Sequence, residues 1–324
     1  MPFSRPPLAL LPLLCALPLL AAEPTIERVA AQADFTMQGS ITDLSGLVWT
    51  GGDSFFAVSD KRSAVLPVTL QIDLATGTIT HGEFGPPIPV PATQMDFEGI
   101  AYVTAERRFF ISTETPAGVI SFRAGEREVR SLPLPTPYSR TRHGLALEAL
   151  TWNDQARQFW IANEEALEGD GPVTSATAGT VVRLAKFDAA FRPLAQYAWR
   201  TETAALRIGA GCGVADLLLL PDGTLLVLER GFVGFGLAVR LFAADFAGAT
   251  DVTKLPALEG ATFTPARKTL LFAEGTGMRN YEGLALGPQL ADGTRSLILV
   301  ADSHGGTEHC FLPLKLRLPG PARK

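Results

Sequence analysis

The chain contains few of the residues on which several common classes of protein depend. Of its 324 residues, 19% are charged, four are histidine and three are cysteine. It has no run of five Lys or Arg and a formal net charge of −5, which argues against a nucleic-acid partner. Motifs for a serine nucleophile elbow, an HExxH zinc site and a P-loop are absent. Hydrophobic residues make up 47% of the chain, enough for a packed core.

The N-terminus has the composition of a secretory signal. Arg5 supplies a positive charge, and the apolar stretch Leu8 to Leu20 is followed by two alanines. A membrane anchor is the alternative, but the stretch is shorter than the roughly 20 residues that span a bilayer. We therefore expect residues 1–22 to be a signal peptide, and residues 23–324 to form one exported domain, periplasmic or secreted, with no membrane span.

Cleavage would leave two cysteines, Cys212 and Cys310. Exported proteins usually meet an oxidising compartment, so these two residues could form a disulfide. Two buried free thiols are the other interpretation, and the sequence leaves both open because it does not give the separation of the Cα atoms.

An internal repeat is the strongest signal in the chain. Each copy starts at a small or acidic residue, runs through an apolar strand, a turn and a second apolar strand, and ends in an acid. The copies are Ser45 to Asp60, Glu98 to Glu114, Glu148 to Glu164, Asp216 to Glu229 and Glu282 to Asp302. Their starts lie 50 to 68 residues apart, about the length of a four-stranded blade with its loops.

This repeat predicts an all-β fold, a single β-propeller of four-stranded antiparallel blades. The motif count gives five blades, and a sixth is an alternative if Ala261 to Ala273 forms one. The run Thr25 to Met37 is predicted to supply an outer strand to the last blade and so close the ring. A β-sandwich is the competing architecture, but it gives no reason for acids to recur at matched hairpin positions.

The spacing of the acids indicates where they meet. Residues equidistant from a hairpin turn face each other, so the acids at the two ends of each copy should lie side by side at one mouth of the channel. Like charges placed opposite one another destabilise a hairpin unless something neutralises them. Calcium, which suits many flexible carboxylates, is the expected cation. The alternative is that the acids are solvated or bind backbone N–H groups that lock neighbouring blades together.

Other candidate sites are weaker. His143, His304 and His309 do not have the spacing of a zinc site on a helix. The bases close to the acids are Lys61, Arg62, Arg230, Arg279, His143 and His304. Two loops, Glu165 to Thr180 and Thr201 to Ala215, are longer than hairpin turns require, and long loops beside a site often act as lids.

Five segments of the chain carry a resemblance to a known family. They are SGL with VSD (Ser45 to Asp60), DFEGIA with STE (Asp96 to Glu114), LEAL with NE (Leu147 to Glu164), VADLLLLPDGTLLVLERGF (Val214 to Phe232) and NYEGLALGP with LVADSHGG (Asn280 to Gly306). In this order they resemble the phytase-like family, also called "esterase-like activity of phytase". Where an Asn-rich ending is expected after the last acid, this chain has Ser303-His304-Gly305-Gly306.

The resemblance implies a β-propeller and the hydrolysis of a phosphate or other ester. Carried over by position, it implies a set of metal-binding acids: Asp60, Glu98, Glu114, Glu148, Glu164, Glu229, Glu282 and Asp302. We expect Glu98 or Glu148 to act as general base, and Arg230 and His304 to take part in catalysis. Arg62, Arg230 and Arg279 would bind the anionic substrate.

The sequence therefore predicts a monomeric, calcium-dependent hydrolase that acts on a small anionic ester. Two alternatives stay open. One is a non-catalytic binding propeller whose metal only stiffens the mouth, and the other is a lactonase-type enzyme on a similar calcium propeller.

Overall fold

The computed structural model describes residues 24–29, 33–36, 41–92, 95–204 and 211–318. Within these ranges the chain forms 22 strands and two short 3-10 helices, Thr104–Glu106 and Thr136–Arg140. The strands form five antiparallel sheets, which confirms the all-β prediction. The predicted signal peptide lies outside the described residues. No helix in the described part of the chain is long and apolar enough to cross a membrane.

The first two blades are consecutive in the chain. The strands of blade 1 are β3 (Leu44–Gly51), β4 (Ser54–Ser59), β5 (Arg62–Ile72) and β6 (Ile79–Phe84), with the short β7 (Ile88–Pro89) pairing to β5. The strands of blade 2 are β8 (Phe97–Val103), β9 (Arg108–Thr113), β10 (Gly118–Phe122) and β11 (Arg130–Leu132). In both blades each strand pairs with the next in the sequence.

Blades 3 and 4 repeat this order. The strands of blade 3 are β12 (Leu147–Asn153), β13 (Gln158–Asn163), β14 (Val181–Asp188) and β15 (Pro193–Arg200). The strands of blade 4 are β16 (Cys212–Leu219), β17 (Leu225–Val233), β18 (Gly236–Asp245) and β19 (Arg267–Gly277). The segment Ala261 to Ala273 leads into and forms part of β19, the outer strand of blade 4, so the described chain has five blades and the six-blade alternative is excluded.

The last blade takes its outer edge from the start of the chain. Its strands are β20 (Asn280–Gln289), β21 (Arg295–Asp302), β22 (Glu308–Arg317), β1 (Thr25–Arg28) and β2 (Ala33–Thr36). Both β1 and β2 pair antiparallel with β22, with Thr25 opposite Arg317 and Ala33 opposite Phe311. This confirms that the N-terminal run closes the ring, and it covers an edge that would otherwise expose unpaired backbone groups.

The innermost strand of each blade contacts the innermost strands of both neighbours, in the cyclic order β3, β8, β12, β16, β20 and back to β3. The blades stack face to face, and this burial explains their continuous apolar runs. Leu225 to Glu229, for example, is buried at every position.

Close approach of the inner strands explains the glycine that follows several of the acids. A Cβ on Gly99 would lie 2.6 Å from the backbone N of Leu150 in the next blade, and one on Gly46 would overlap the backbone oxygen of Glu98. Any larger side chain would push the blades apart.

Polar side chains join the blades across each junction. Ser45 Oγ donates to the backbone oxygen of Phe97 at 2.5 Å, and Ser112 Oγ donates to that of Glu148 at 2.8 Å. Further bonds of this kind join blades 3 and 4, through Leu219 N and Thr151 Oγ1, and blades 4 and 5, through Leu284 N and Asp216 Oδ2. The N–H of Asp43 donates to Ser303 Oγ at 2.9 Å and joins blade 5 to blade 1.

The structure decides between the two interpretations of the cysteines. Cys212 and Cys310 are both free and buried. Cys310 Sγ lies 3.1 Å from Tyr281 Oη, whereas Cys212 lies near Glu229 and Arg240, so the two thiols have separate environments. Burial raises the pKa of each thiol to about 12, which makes both unreactive at neutral pH.

The long segment after β13 is packed against the protein and does not form an open lid. Asp170 in this segment makes a fully buried bidentate ion pair with Arg183 of β14, at 2.6 Å to Nε and 2.8 Å to Nη2. Arg183 Nη2 also donates to the backbone oxygen of Leu255 at 3.0 Å, in the segment between β18 and β19. One guanidinium therefore holds two long loops against blade 3.

We predict that D170N lowers the free energy of unfolding by about 3–5 kcal/mol, because it leaves the Arg183 charge buried without its partner. Urea denaturation measures the change. The matched control is D188N, which affects an ion pair of the same residue types, Asp188 with Arg192, whose guanidinium is largely exposed. A loss for D170N no larger than that for D188N would contradict the structural role of the buried pair.

Candidate functional site

A β-bulge in every inner strand determines which side chains enter the channel. In each blade the pairing register between the first two strands shifts near the start of the inner strand. At this shift the inner strand has an acid without a pairing partner in three blades and a small residue without one in two. In order these residues are Ser45, Glu98, Glu148, Ala215 and Glu282. Bulges re-aim a side chain, and here each one interrupts the pairing at the channel mouth.

The second strand of each blade contributes one more position. The residues paired with the position just before each bulge are Ser59, Thr113, Asn163, Glu229 and Ala301. The residues that follow them are Asp60, Glu114, Glu164, Arg230 and Asp302. Four blades therefore present a carboxylate at this position, and blade 4 presents an arginine.

Seven of the described acids form what we call the carboxylate ring: Asp60, Glu98, Glu114, Glu148, Glu164, Glu282 and Asp302. Within it, one carboxylate oxygen from each of Glu114, Glu148 and Glu164 lies within 4.8 Å of the others. At an effective dielectric constant of 20, two full charges at this separation repel by about 3.5 kcal/mol. The ring is therefore costly when all of its members are ionised.

Burial and mutual repulsion both act on the innermost acids. Burial, with repulsion from Glu282 and other members of the ring, holds the pKa of Glu98 well above its ordinary value. Burial and repulsion from Glu98 do the same to the pKa of Glu148. The pKa values of Glu164 and Glu282 rise only to about 7, because Arg230 offsets part of the burial effect. Carboxyls with such pKa values can exchange protons near neutral pH.

Arg230 is a largely buried cation in contact with the ring. Its Nη2 lies 2.9 Å from Glu282 Oε1 and 3.2 Å from Glu164 Oε1. Burial alone would lower the pKa of this guanidinium, but the surrounding carboxylates raise it overall, so it is always charged. Arg230 thus ties blades 3, 4 and 5 together at the mouth.

Two acids of the fourth repeat lie elsewhere. Glu229 accepts hydrogen bonds from Trp199 Nε1 at 2.8 Å and from the backbone N of Glu202 at 2.8 Å, and lies 3.2 Å from Lys268 Nζ. Asp216 accepts from the backbone N–H groups of Leu217 and Leu284. In blade 4 the bulge residue is Ala215 and not Asp216, and Glu229 pairs with Val214 just before the bulge, so both acids lie one residue away from the positions that face the channel. Neither joins the carboxylate ring.

The remaining predicted bases lie at the rim or outside it. Lys61 forms an ion pair with Asp60, and His304 Nδ1 lies 3.1 Å from Asp302 Oδ2. Arg62 is the first residue of β5, opposite Ser59. Arg279 forms an ion pair with Asp34 of β2 at 2.8 Å, and no contact with the ring is found for it among the described residues.

Two further acids contribute to the mouth although the sequence reasoning did not select them. Asp43, buried and with a positive φ of 56°, accepts hydrogen bonds from the backbone N of Gly305 and from Ser303 Oγ. Glu165, also buried, accepts from the backbone N–H groups of Thr174 at 2.8 Å and Gly211 at 2.9 Å. In the sequence, the adjacent pair Glu164 and Glu165 was a signal that could have identified Glu165. Asp43 precedes the repeat, and no sequence pattern marks it.

A sequence profile of the family described as "Phytase-like: Esterase-like activity of phytase" matches residues 40–304, most of the chain. The chain belongs to the phytase-like family. The matched range contains all five repeats and every member of the carboxylate ring. No curated protein matches the chain.

Three solved structures similar to this phytase-like propeller are distant from it in sequence. A nidogen–laminin complex is 11% identical over 86% of this chain and 87% of that chain, with a TM-score of 0.42. A streptogramin B lyase is 11% identical over 91% and 98%, with a TM-score of 0.39. The PQQ-bound aldose sugar dehydrogenase of Streptomyces coelicolor is 11% identical over 91% and 99%, with a TM-score of 0.43.

The mouth of this phytase-like propeller has the donor set of a hard divalent cation. Two buried oxygens, Asp60 Oδ1 and Asn280 Oδ1, accept no hydrogen bond from the described residues, and Glu164 Oε1 has only its ion pair with Arg230. Buried acceptors are normally satisfied, so these oxygens are suited to a ligand. Calcium takes six to eight oxygens at about 2.3–2.6 Å, which suits carboxylate oxygens within 4.8 Å of one another. The residues present therefore fit calcium.

The pKa shifts predict how the metal-free protein responds to pH. The raised pKa values of Glu164 and Glu282 mean that the folded state binds protons more tightly than the unfolded state, whose carboxyls titrate near 4.5. This contribution to stability is fully present below pH 4.5 and is lost as pH rises through about 7. We expect the melting temperature in chelator to be higher at pH 5.5 than at pH 8.

The variant E148Q tests this effect, because it removes one buried titratable carboxyl group of the ring and keeps the shape. In chelator at pH 8 its melting temperature should exceed that of the unmodified protein, and its dependence on pH should be weaker. The exposed Glu128 provides the control E128Q, which should behave like the unmodified protein. A lower melting temperature for E148Q at pH 8 would show that the ring does not repel itself in the metal-free state.

Proposed function

We propose that this chain is a calcium-dependent hydrolase of the phytase-like family that acts on a phosphomonoester or related ester. The observation that supports this proposal most directly is the convergence of Glu114, Glu148 and Glu164, with Arg230 at their edge. Cation ligands and a fixed guanidinium for an anionic group are thus close together in one mouth. Membership of the family adds esters as the expected class of substrate.

Glu114, Glu148 and Glu164 would hold the cation. Bound calcium would polarise the oxygen of the substrate and stabilise negative charge that develops there. Arg230, already in contact with Glu164 and Glu282, would bind an anionic oxygen of the substrate through the donors that these acids leave available.

Glu98 is the residue that we assign as general base. It is buried beside the three carboxylates but does not belong to their close cluster, so its oxygens are available for another role. Its raised pKa gives it the proton affinity to take a proton from water. His304, exposed at the rim beside Asp302, would contact the part of the substrate that projects from the mouth.

We further propose that the protein is exported and monomeric. An extracellular or periplasmic site would meet calcium at higher concentrations than a cytosolic one, which is consistent with a site of modest affinity.

Calcium titration into the chelator-stripped protein tests the metal. We expect saturable binding by calorimetry and a rise in melting temperature at pH 8, since the cation neutralises the ring. E164Q should weaken binding at least about tenfold, because it removes a charged ligand. E128Q serves as the control. Binding that E164Q does not change would place the cation outside the ring.

Substrate assays test the chemistry. We expect p-nitrophenyl phosphate or p-nitrophenyl acetate to be hydrolysed with calcium, and the activity to disappear in chelator and return when calcium is restored. E98Q should lower kcat and leave calcium binding intact. A lactone panel run in parallel tests the lactonase alternative. Calcium binding without turnover of any ester or lactone would favour the non-catalytic binding propeller.

Arg230 is tested with substrates of different charge. R230Q should raise KM for the phosphate ester by about 10- to 100-fold, the effect of losing a charge-assisted hydrogen bond of about 1.5–3 kcal/mol. KM for the neutral acetate ester should change little. R279Q is the matched control, because Arg279 forms an ion pair with Asp34. Equal effects of R230Q on both esters would indicate damage to the fold, which calcium binding and thermal melting would also reveal.

A further inference from the structure

The end of the channel opposite the carboxylate ring contains a separate cavity. Its volume is about 270 Å³, and the inner strands of all five blades line it. We call it the lower vestibule and define it by Trp49, Tyr102, Trp152, Leu286 and Arg295. The first four residues each lie four positions after a bulge residue of their blade, so the same repeat that builds the acidic mouth also builds this one.

Buried apolar side chains separate the two mouths. Leu47, Ile100, Leu150, Leu217 and Leu284 are at most 4% exposed, and they lie between the bulges and the vestibule along the inner strands. They also form the inner wall of the cavity. A ligand in the lower vestibule therefore has no direct contact with the carboxylate ring.

Three aromatic side chains, one from each of three adjacent blades, line the lower vestibule. Trp49, Tyr102 and Trp152 are all half-buried, and each ring contributes to the cavity wall. Their polar atoms are satisfied locally where they are described. Trp49 Nε1 donates to the backbone oxygen of Gly52, and Trp152 Nε1 donates to Asp154 Oδ1. The Nε1 donors of both tryptophan rings are therefore already used.

Arg295 supplies a fixed positive charge. Its guanidinium lies 5.0 Å from the centre of the Trp49 ring, and its Nε and Nη2 both donate to the backbone oxygen of Gly287, at 3.0 and 2.7 Å. No carboxylate pairs with it among the described residues, and its Nη1 has no hydrogen-bond partner there. Burial lowers the pKa of this guanidinium.

One acid, Asp154, also lines the cavity, but it is exposed and accepts from Trp152. The other polar lining groups are neutral and include Asn153 and Gln155. A half-buried cation without a counter-charge, held in place by a stacked ring and a carbonyl, favours an anionic ligand.

We propose that the lower vestibule is a second binding site, which takes a small aromatic carboxylate. The aromatic ring of the ligand lies among Trp49, Tyr102 and Trp152, and its carboxylate accepts a hydrogen bond from Arg295 Nη1. The cavity volume is close to the lower limit for ligand pockets and larger than the roughly 150 Å³ cavity that holds benzene, so a ligand with one ring fits.

The tryptophans of the chain provide a direct readout. The chain has four. Trp160 and Trp199 are 4% and 0% exposed, whereas Trp49 and Trp152 are half-buried and both line the vestibule. A soluble quencher such as acrylamide therefore reports chiefly on the lower vestibule.

The experiment compares phenylacetate with its neutral analogue phenylacetamide, in chelator and with excitation at 295 nm. We expect phenylacetate to change the tryptophan fluorescence saturably and to protect it from acrylamide. Phenylacetamide should bind at least tenfold more weakly. R295Q should remove the difference between the two compounds, and R230Q should retain it, which separates this site from the acidic mouth.

Equal affinity for the acid and the amide in the unmodified protein would overturn the role assigned to Arg295. An absence of any saturable response at millimolar phenylacetate would overturn the site itself. A response that R230Q abolishes would place the ligand in the acidic mouth and also contradict the proposal. The comparison of phenylacetate with phenylacetamide uses the unmodified protein, so it tests the proposal even if R295Q does not fold.

Discussion

Repulsion among buried carboxylates is the constraint on which the mouth of this propeller depends. The five blades bring seven acids to one end of the channel. Strand pairing holds the strands that carry these acids, so the acids cannot move apart without breaking the pairing within a blade. The protein reduces the cost in two ways. Burial and repulsion raise the pKa values of acids such as Glu148, which favours their neutral form, and Arg230 pairs with Glu164 and Glu282. A divalent cation would be a third way.

Arg230 owes its position to a difference of one residue between blades. In four blades an acid follows the second-strand residue that pairs just before the bulge, and in blade 4 Arg230 follows it, after Glu229. With Ala215 as the bulge residue of its inner strand, blade 4 gives the mouth one positive charge and no negative charge. The ring is therefore asymmetric, and blade 4 is the side on which an anionic group can approach.

Much of this arrangement could be predicted from the sequence. The repeat of two apolar strands that ends in an acid was sufficient for the propeller fold and for the seven acids of the ring, because a hairpin places equidistant residues together. It gave five blades by motif count and left six open. The fourth repeat misled the reasoning, since its acids, Asp216 and Glu229, lie one residue out of step with those of the other blades. The position of the bulge in the structure shows this offset. The alternation of hydrophobic residues in the sequence does not predict where a bulge lies. The anchoring of the long loop by Asp170 and Arg183 was likewise inaccessible, because Asp170 lies in a loop without a pattern and the strand β14 does not indicate the partner of Arg183.

The pairing of β1 and β2 with β22 also has a consequence for how the molecule folds. Thr25 pairs with Arg317, so the contacts that close the ring join residues almost 300 positions apart. Blades 1 to 4 can each form from strands that are neighbours in the sequence, but the fifth blade cannot be completed until β22 has been made. Because these last contacts join residues that are far apart in the sequence, we expect the ring to close slowly. The edge of β22 stays unpaired until it closes. The charged and polar residues of β1, Glu27 and Arg28 among them, then cover that edge once the ring is closed.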